Sequence, residues 1–544
     1  MKARFHFRAS DDYIYNMFWA DRIAQEITRR FAGDIKGGKA LVIRDEWTAS
    51  GRGHVGSMRG VAIHGAVAEA LARQGVPYTF RFEINDFDVM DSVPPGLREE
   101  EYKQYLGMLL LDVPSPDSSA KNFAEYYAND FKSAINHAGF TPEYYWGSEP
   151  YLSGQMDAVI YEALNAADTI RSIYKEVSGS VKEAGWLPIS VLCPECKKIA
   201  TTEASDFDGD TVRIICEKNK VEYTEGCGFK GRVSPFKGGA KLPWKVEWAA
   251  KWKVNGVMVE GGGKDHSTKG GSRDVANHIS REVFTYEPPF NLPYEFILVG
   301  GKKMSSSKGR GSSAREIADL VPSKIFRLAL LGKDINQQIN FDPEGDTIPV
   351  LYDQYDKLAQ NFWSGADDDY AQLFTQIHPK EGTPEQMFLM RFSQVAFLVQ
   401  MPHLQILDEA KKLKGSALTK EEEIEIAERA QYALRWLQNY APEKYVFKLH
   451  DTLPSIATDL TRAQKDTLEA LRKDLEMNYP TSGEVMHALI RSVPLRPNLL
   501  IEPKDFFVAL YTIFLGKDSG PQAGWFLAAL PKEFVLGRLH EASQ

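Results

Sequence analysis

The stretch ALVIRDEWTASGRGHVGSMRGVAIHGAVAEALARQGVPYTFRFEI, residues 40–84, decides the fold class. Residues 40–47 read as a short buried strand, and a Gly-rich turn at 50–56 follows it directly. Met58, Val61, Ala62, Ala66, Val67, Ala70 and Leu71 then recur at helical spacing until Gly75. Residues 78–84 alternate apolar and polar side chains, the period of a second strand. Strand, glycine turn, helix and strand in that order open a parallel α/β sheet.

Working outward, residues 87–100 break into Asp, Pro and Gly and leave the sheet edge. Residues 118–138 and 155–178 carry helical patterns, and 190–240 is polar, Gly-rich and without periodicity. Apolar periodicity returns at 244–252, VNGVMVEGGG reads as a strand ending in glycines, and YEFILVGG (294–301) as one more strand capped by KKMSSSKG. Helical patterns follow from Ser313, with amphipathic stretches at 421–440 and 462–477. The expected architecture is α/β. A Rossmann-like parallel-sheet catalytic domain forms from 1–86 and 241–312, interrupted by an insertion at 87–240 that carries a zinc module at 190–240. A helical junction at 313–350 leads to an all-α C-terminal domain at 351–544.

The chain has 544 residues, room for about three or four domains at roughly 150 residues each. With 43% apolar and 26% charged residues it has the composition of a soluble globular protein. No apolar run approaches the ~20 residues a membrane span needs, and MKARFHFRASDDYIYN at the start lacks a secretory apolar core. The expected location is the cytoplasm, with no membrane partner. The net charge of −9 does not exclude an RNA partner, because RNA needs only a local basic surface. Lys245, Lys251 and Lys253, and Lys302, Lys303 and Lys308, form short basic clusters of that kind, and solvated faces of ordinary elements account for each of them at least as well.

Three strand ends carry polar, Gly-bearing segments. His54 lies between a strand and a helix, where backbone N–H groups and the helix dipole favour an anion, and Gly51, Gly53 and Gly56 leave the backbone open to a ligand. At 303–309, Lys303, Lys308 and the hydroxyls of Ser305, Ser306 and Ser307 suit charge neutralisation around a leaving pyrophosphate. Gly261, Gly262 and Gly263 admit a flat ligand, Asp265 offers an acceptor for ribose hydroxyls or an α-ammonium, and His266 faces the substrate. Any one of these segments is also an ordinary surface turn; the three together point to a nucleotide at the carboxyl edge of one sheet.

All four cysteines lie within 35 residues, as Cys193-x2-Cys196-x19-Cys216-x10-Cys227. That pattern fits a four-cysteine zinc site of ribbon type, with a long turn closing the second pair. Two disulfides would conflict with a cytoplasmic protein. With four thiolates filled, the zinc is structural.

The two phosphate loops resemble the signature motifs of class I aminoacyl-tRNA synthetases, HVGS (54–57) standing for the first and KMSSS (303–307) for the second. The chain is most similar to the class I lysyl-tRNA synthetase family through MFWADRIAQEI (17–27), TASGRGHVGS (48–57), LPWKVEWAAKW (242–252), GGKDHSTKGGS (262–272), KMSSSKG (303–309) and FFVALYTIFLGKDSGPQAGWFLAAL (506–530). The resemblance implies that L-lysine reacts with ATP, accompanied by Mg²⁺, to give lysyl-adenylate, and that tRNA(Lys) then takes the lysyl group on its terminal 2′-OH. It casts His54, Lys303 and Lys308 as transition-state stabilisers. Gly53, Gly56, Ser57, Gly263, Asp265, Met304, Ser305 and Ser306 join them around ATP, and Thr48, Trp244 and His266 are placed around lysine. The C-terminal domain is assigned to the anticodon on the same ground. Chemistry alone adds an acceptor for the lysine ammonium, Glu46 or another buried carboxylate, although Glu46 reads more simply as a solvent-facing glutamate at a strand end. The sequence departs from the class at Ser57, at Ser306, where lysine is common and Lys308 supplies the charge instead, and at Glu46, where many relatives have a small residue.

Three other readings stand beside this one: a glutamyl-type class I synthetase, a nucleotidyltransferase that uses no tRNA, and a non-catalytic RNA-binding protein on a synthetase scaffold. Trp363, Arg391, Arg435 and Trp436 could stack on bases, but core aromatics and surface arginines are the safer reading.

Overall fold

Leu41–Thr48 (β1) is the central strand of a five-stranded, all-parallel sheet. The structure is a computed structural model that describes residues 17–301, 313–379, 382–401 and 404–544. Before β1 runs the amphipathic helix α1 (Trp19–Arg30), which buries Ile23, Ala24 and Ile27. After the glycine turn, α2 (Met58–Arg73) is buried on nearly every side, as expected of a helix without a polar stripe. Gly60 makes its close approach possible, since a Cβ there would lie 2.7 Å from an Asp45 carboxylate oxygen.

β2 (Tyr78–Asn85) pairs with β1 along its whole length, and β3 (Glu143–Trp146) follows helix α3 (Phe123–His137) to extend the sheet on that side. The chain then leaves through α4 (Asp157–Asn165) and α5 (Ala167–Ser178). It enters a small antiparallel sheet of β4 (Thr202–Ser205), β5 (Val212–Cys216) and β6 (Lys230–Val233). It returns through α6 (Trp244–Asn255) to β7 (Val259–Gly263) on the other side of β1, then through α7 (Ser272–Glu282) to β8 (Phe290–Tyr294). The sheet order is therefore β8–β7–β1–β2–β3. One apolar core joins α4 to α7 with the small sheet, Ile160, Ile170, Val212, Ile214, Trp252 and Ile279 all being buried in it.

The single strand expected over 294–301 is two. Tyr294 ends β8, and β9 (Ile297–Val299) pairs with β10 (Ile339–Phe341) in a separate parallel pair. The Glu295 amide donates to the Ile335 carbonyl (2.8 Å) and the Phe296 carbonyl accepts from Ile339 (3.1 Å), which draws the chain off the main sheet. The segment carrying Lys303 thus follows a strand of the small pair.

Two compact units result. The first holds the described residues up to Phe341 with Leu358–Pro384; the second holds Asp342–Lys357 with Glu385–Gln544. In the second, α8 (Arg462–Met477), α9 (Pro503–Leu515) and α10 (Lys532–Ser543) enclose a core that includes Leu468, Leu471, Phe506, Leu510, Phe514 and Leu539. Among the described residues no helix is long and apolar enough to cross a membrane.

Candidate active site

β1 and β7 pair only at Ile43 and Val259, whereas β1 and β2 stay paired to Thr48 and Asn85. Beyond Ile43 the first two strands part, at the point where the sheet order reverses and α/β proteins open their ligand crevice. A cavity of about 390 Å³ occupies this opening. Asp45, Glu46 and Thr48 of β1, Asn85 and Asp88 after β2, Trp244, Glu247, Trp248 and Lys251 of α6, Glu260–Gly263 of β7, His266 and Tyr294 line it.

Side chains alternate along β1, so Arg44 and Glu46 share the α6 face while Asp45 faces α2. Arg44 is fully buried and donates to Glu260 (2.6 Å), Glu83 (2.6 Å) and Glu46. Tyr145 donates to Glu83 (2.7 Å) and accepts from Arg44 (2.9 Å). Lys251 is 1% exposed and bridges Glu83 to Glu247, and Lys241 closes the row on Glu247. The indoles of Trp248 and Trp252 both donate to Glu260, at 2.9 and 2.6 Å. Burial alone would raise the Glu83 pKa, but Lys251 and Arg44 outweigh it and hold the carboxyl well below the usual range. Glu247 is held down in the same way, by Lys241 and Lys251 against burial. On the α2 face burial dominates, and it raises Asp45 in spite of His64 nearby. His64 accepts from the Gly261 amide through Nε2 (2.8 Å) and meets the Gly60 carbonyl through Nδ1 (2.8 Å), tying α2 to the glycine strand. Six carboxylates (Asp45, Glu46, Glu83, Asp88, Glu247, Glu260) stand in and behind the wall against four cations, Arg44, Lys241, Lys251 and Arg273, the last lying over the Trp248 ring. The wall is strongly acidic, and Trp244, Trp248 and His266 give it an aromatic side, with ring centroids 5.3–6.1 Å apart.

The structure brings Glu46, Thr48, Trp244 and His266 to one cavity, with Gly263 at its edge. Asp265 sits in the short turn Lys264–Ser267 and does not line it. Lys251, offered by the sequence as part of a basic cluster or a solvated face, is neither and is buried between two glutamates. Sequence reasoning also missed Asp45, Asn85, Asp88, Glu247 and Tyr294. A usable signal existed in the charges of ALVIRDEW, since Arg and Asp inside a buried strand must find partners.

His54 starts the turn Val55–Ser57 that leads into α2, and its Nδ1 accepts from the Ser57 amide (3.2 Å). It forms an antiparallel bridge with Ser313, and the Gly53 carbonyl accepts from Ala314 (2.7 Å). The residue that resumes the described chain after 302–312 therefore lies against the first loop. Lys303, Met304, Ser305, Ser306, Ser307, Lys308 and Gly309 fall outside the described residues. Gly53 has a packing reason to be glycine, because a Cβ would lie 2.5 Å from the Phe131 ring.

The four cysteine sulfurs lie within 4.8 Å of one another and form no disulfide. Cys193 and Cys227 are 3.6 Å apart and Cys196 and Cys216 3.7 Å. A tetrahedron with metal–sulfur bonds of about 2.3 Å has edges of about 3.8 Å, so the set is able to hold one such ion. The Gly226 amide donates to the Glu217 carbonyl (3.1 Å), closing the long turn between the last two cysteines.

In the second unit Trp436 is fully buried and donates to the Pro343 carbonyl, and Arg391 pairs with Asp353. In the first unit Trp363 donates to the Pro384 carbonyl.

The family model for tRNA synthetases class I (K) matches residues 17–380. The lysine–tRNA ligase of Methanosarcina barkeri is 33% identical over 541 residues, covering 96% of this chain and 97% of that one. Lysine–tRNA ligase 1 of Methanosarcina acetivorans is 34% identical, with 97% and 98% covered. The lysine–tRNA ligase of Thermoplasma acidophilum is 30% identical, with 96% and 98% covered.

Proposed function

The chain belongs to the class I (K) tRNA synthetases, and from that premise we propose that it activates L-lysine with ATP in the cytoplasm and transfers it to tRNA(Lys). The observation that carries this reading is the excess of carboxylates around the cavity. Lysine brings two ammonium groups and one carboxylate, so it offsets part of that excess, and Trp244 and Trp248 suit its apolar stem. A glutamate substrate would add a carboxylate to a wall already rich in them.

Adenylate formation joins a lysine carboxylate oxygen to the α-phosphorus of ATP and releases pyrophosphate, a reaction that rests on positioning and charge stabilisation. His54, at the N-terminal turn of α2, would donate to the phosphates, with Gly53, Gly56 and Ser57 shaping the loop. Lys303 and Lys308, with Met304, Ser305 and Ser306, would stabilise the departing pyrophosphate with Mg²⁺. Gly263 and Asp265 would meet the nucleoside. Thr48, Trp244, His266 and Glu46 would hold lysine. In the second step the terminal 2′-OH of the tRNA attacks the carbonyl carbon of the adenylate and AMP leaves. Zn²⁺ would sit in the thiolate tetrahedron of Cys193, Cys196, Cys216 and Cys227 and supply only a structural link there. The helical second unit would read the anticodon.

ATP–pyrophosphate exchange with lysine, glutamate, arginine and cysteine offered separately tests the reading. Lysine alone should drive it; exchange driven by glutamate would overturn it.

A further inference from the structure

Three of the carboxylates behind the cavity are fully engaged. Glu83 accepts from Arg44, Lys251 and Tyr145, Glu260 from Arg44, Trp248 and Trp252, and Glu247 from Tyr151 and Lys241. The β2 end of the wall differs. Asn85 lines the cavity and is 2% exposed, yet its Oδ1 has no hydrogen-bond partner among the described residues. Three residues on, Asp88 receives the Val89 amide (2.9 Å) and lies 4.0 Å from Lys241, both on Oδ1. A buried amide oxygen without a donor is costly, and native proteins keep one chiefly where a ligand or water completes it.

The segment that carries these groups is held in place from both sides. Asp86 accepts from the Ser148 amide and hydroxyl, both at 2.8 Å, and the Asn85 carbonyl accepts from Ala49 (3.2 Å). The Asp86 and Asp88 carbonyls accept from Leu111 (3.1 Å) and Leu110 (2.9 Å). The backbone that carries the two side chains is therefore fixed before binding, which lowers the ordering cost.

We propose that Asn85 and Asp88 are specificity-determining residues that receive the side-chain ammonium of the amino acid at the β2 end of the cavity, under α6. This inference rests on the lysine reading and adds to it the place where the side chain is recognised. An ammonium needs several acceptors and one compensating charge. A buried carboxamide with a partly exposed carboxylate supplies both, while Lys251 and Lys241 exclude a second cation from the glutamates already paired. An amino acid with the same stem and no ammonium leaves Asn85 unpaired, and sites of this kind reject such analogues by about 10⁴-fold.

The test is steady-state ATP–pyrophosphate exchange on the full-length protein, with lysine and with norleucine, which keeps the four-carbon stem and lacks the ammonium. Asn85→Leu should raise the KM for lysine by about 10–100-fold, leave the KM for ATP within about twofold, and cut the preference for lysine over norleucine. Asn85→Asp, which keeps an acceptor, should restore most of the lysine KM. Asp88→Asn, at a partly exposed position with little risk to folding, should raise the lysine KM by about tenfold on its own. Unchanged lysine KM and selectivity in Asp88→Asn and Asn85→Leu, with normal exchange by the unaltered enzyme, would overturn this assignment alone. KM values for lysine and ATP rising together would also overturn it. No lysine-driven exchange in the unaltered enzyme would remove the underlying reading and this inference with it.

Discussion

The cavity wall and the cysteine module each aim several side chains at one point, and they do so by opposite means. Around Arg44, buried charges of both signs come from three strands and a helix and pair with one another, leaving an excess of carboxylates. In the module, four sulfurs converge within 4.8 Å of one another, a set able to hold one metal ion. The wall keeps its shape without a ligand because its partners are supplied by the fold. The module, on the zinc reading proposed above, would draw part of its stability from the ion it binds.

Removing the metal should have the largest effect and falls on one side of this contrast. Structural zinc sites are worth about 10–16 kcal/mol in isolated modules. Chelation, or Cys216→Ser, should release one zinc per chain, and hydrogen exchange over 190–240 should accelerate while the amides of β1 and β2 stay protected. Unchanged protection over 190–240 after verified metal loss would show that the module folds on its apolar contacts alone.

Arg44→Met attacks the other side. It leaves Glu46, Glu83 and Glu260 without their shared cation, and breaking one partner of a buried ion network costs about 3–5 kcal/mol. Urea denaturation should report a loss of that size, and adding Glu83→Gln should recover part of it. A loss below about 1 kcal/mol would mean that water reaches the network and that the wall is less dry than its burial indicates.

Sequence patterning carried the fold further than it carried the site. The parallel unit over 40–84 and the helices at 462–477 follow from local periodicity, which short-range packing obeys. The break at Tyr294 does not, because it depends on hydrogen bonds to Ile335 and Ile339 from elsewhere in the chain. The same holds for the cavity. Arg44 meets Glu260 across 216 residues and Lys251 meets Glu83 across 168, so neither pair has a spacing to read. Glu46, Thr48, Trp244 and His266 were reachable through family likeness or side-chain chemistry, and the cysteines through their spacing. Asn85 and Asp88 carried no local pattern at all.

The glycine loop at His54 lies between the two extremes, since its backbone is tied to Ser313 and Ala314 while the phosphate contacts proposed for it would need ATP. His54→Ala or Lys303→Ala should slow lysine-dependent exchange by about 10²–10³-fold, equivalent to about 3–4 kcal/mol of transition-state stabilisation, with the melting temperature unchanged. Exchange at the normal rate in either variant removes the role given to that residue.

The smallest expected effect separates the two faces of β1. Glu83 and Glu247 are held below the usual glutamate range, so their contribution to stability is complete above about pH 4.3 and is lost as the pH falls through their folded values. Asp45 has the opposite sign. Burial raises it, so the folded state binds its proton more tightly than the unfolded chain does. Its contribution is complete below about pH 3.9 and is lost as the pH rises through the raised value. Asp45→Asn removes only this second term. It should stabilise the protein at pH 8, and the gain should shrink towards zero as the pH is lowered to about 3. Stability measured by urea denaturation across that range decides the matter. A variant less stable than the parent at pH 8 would mean that the α2 face holds its charge as well as the α6 face does, and the balanced network would then extend through both sides of the strand.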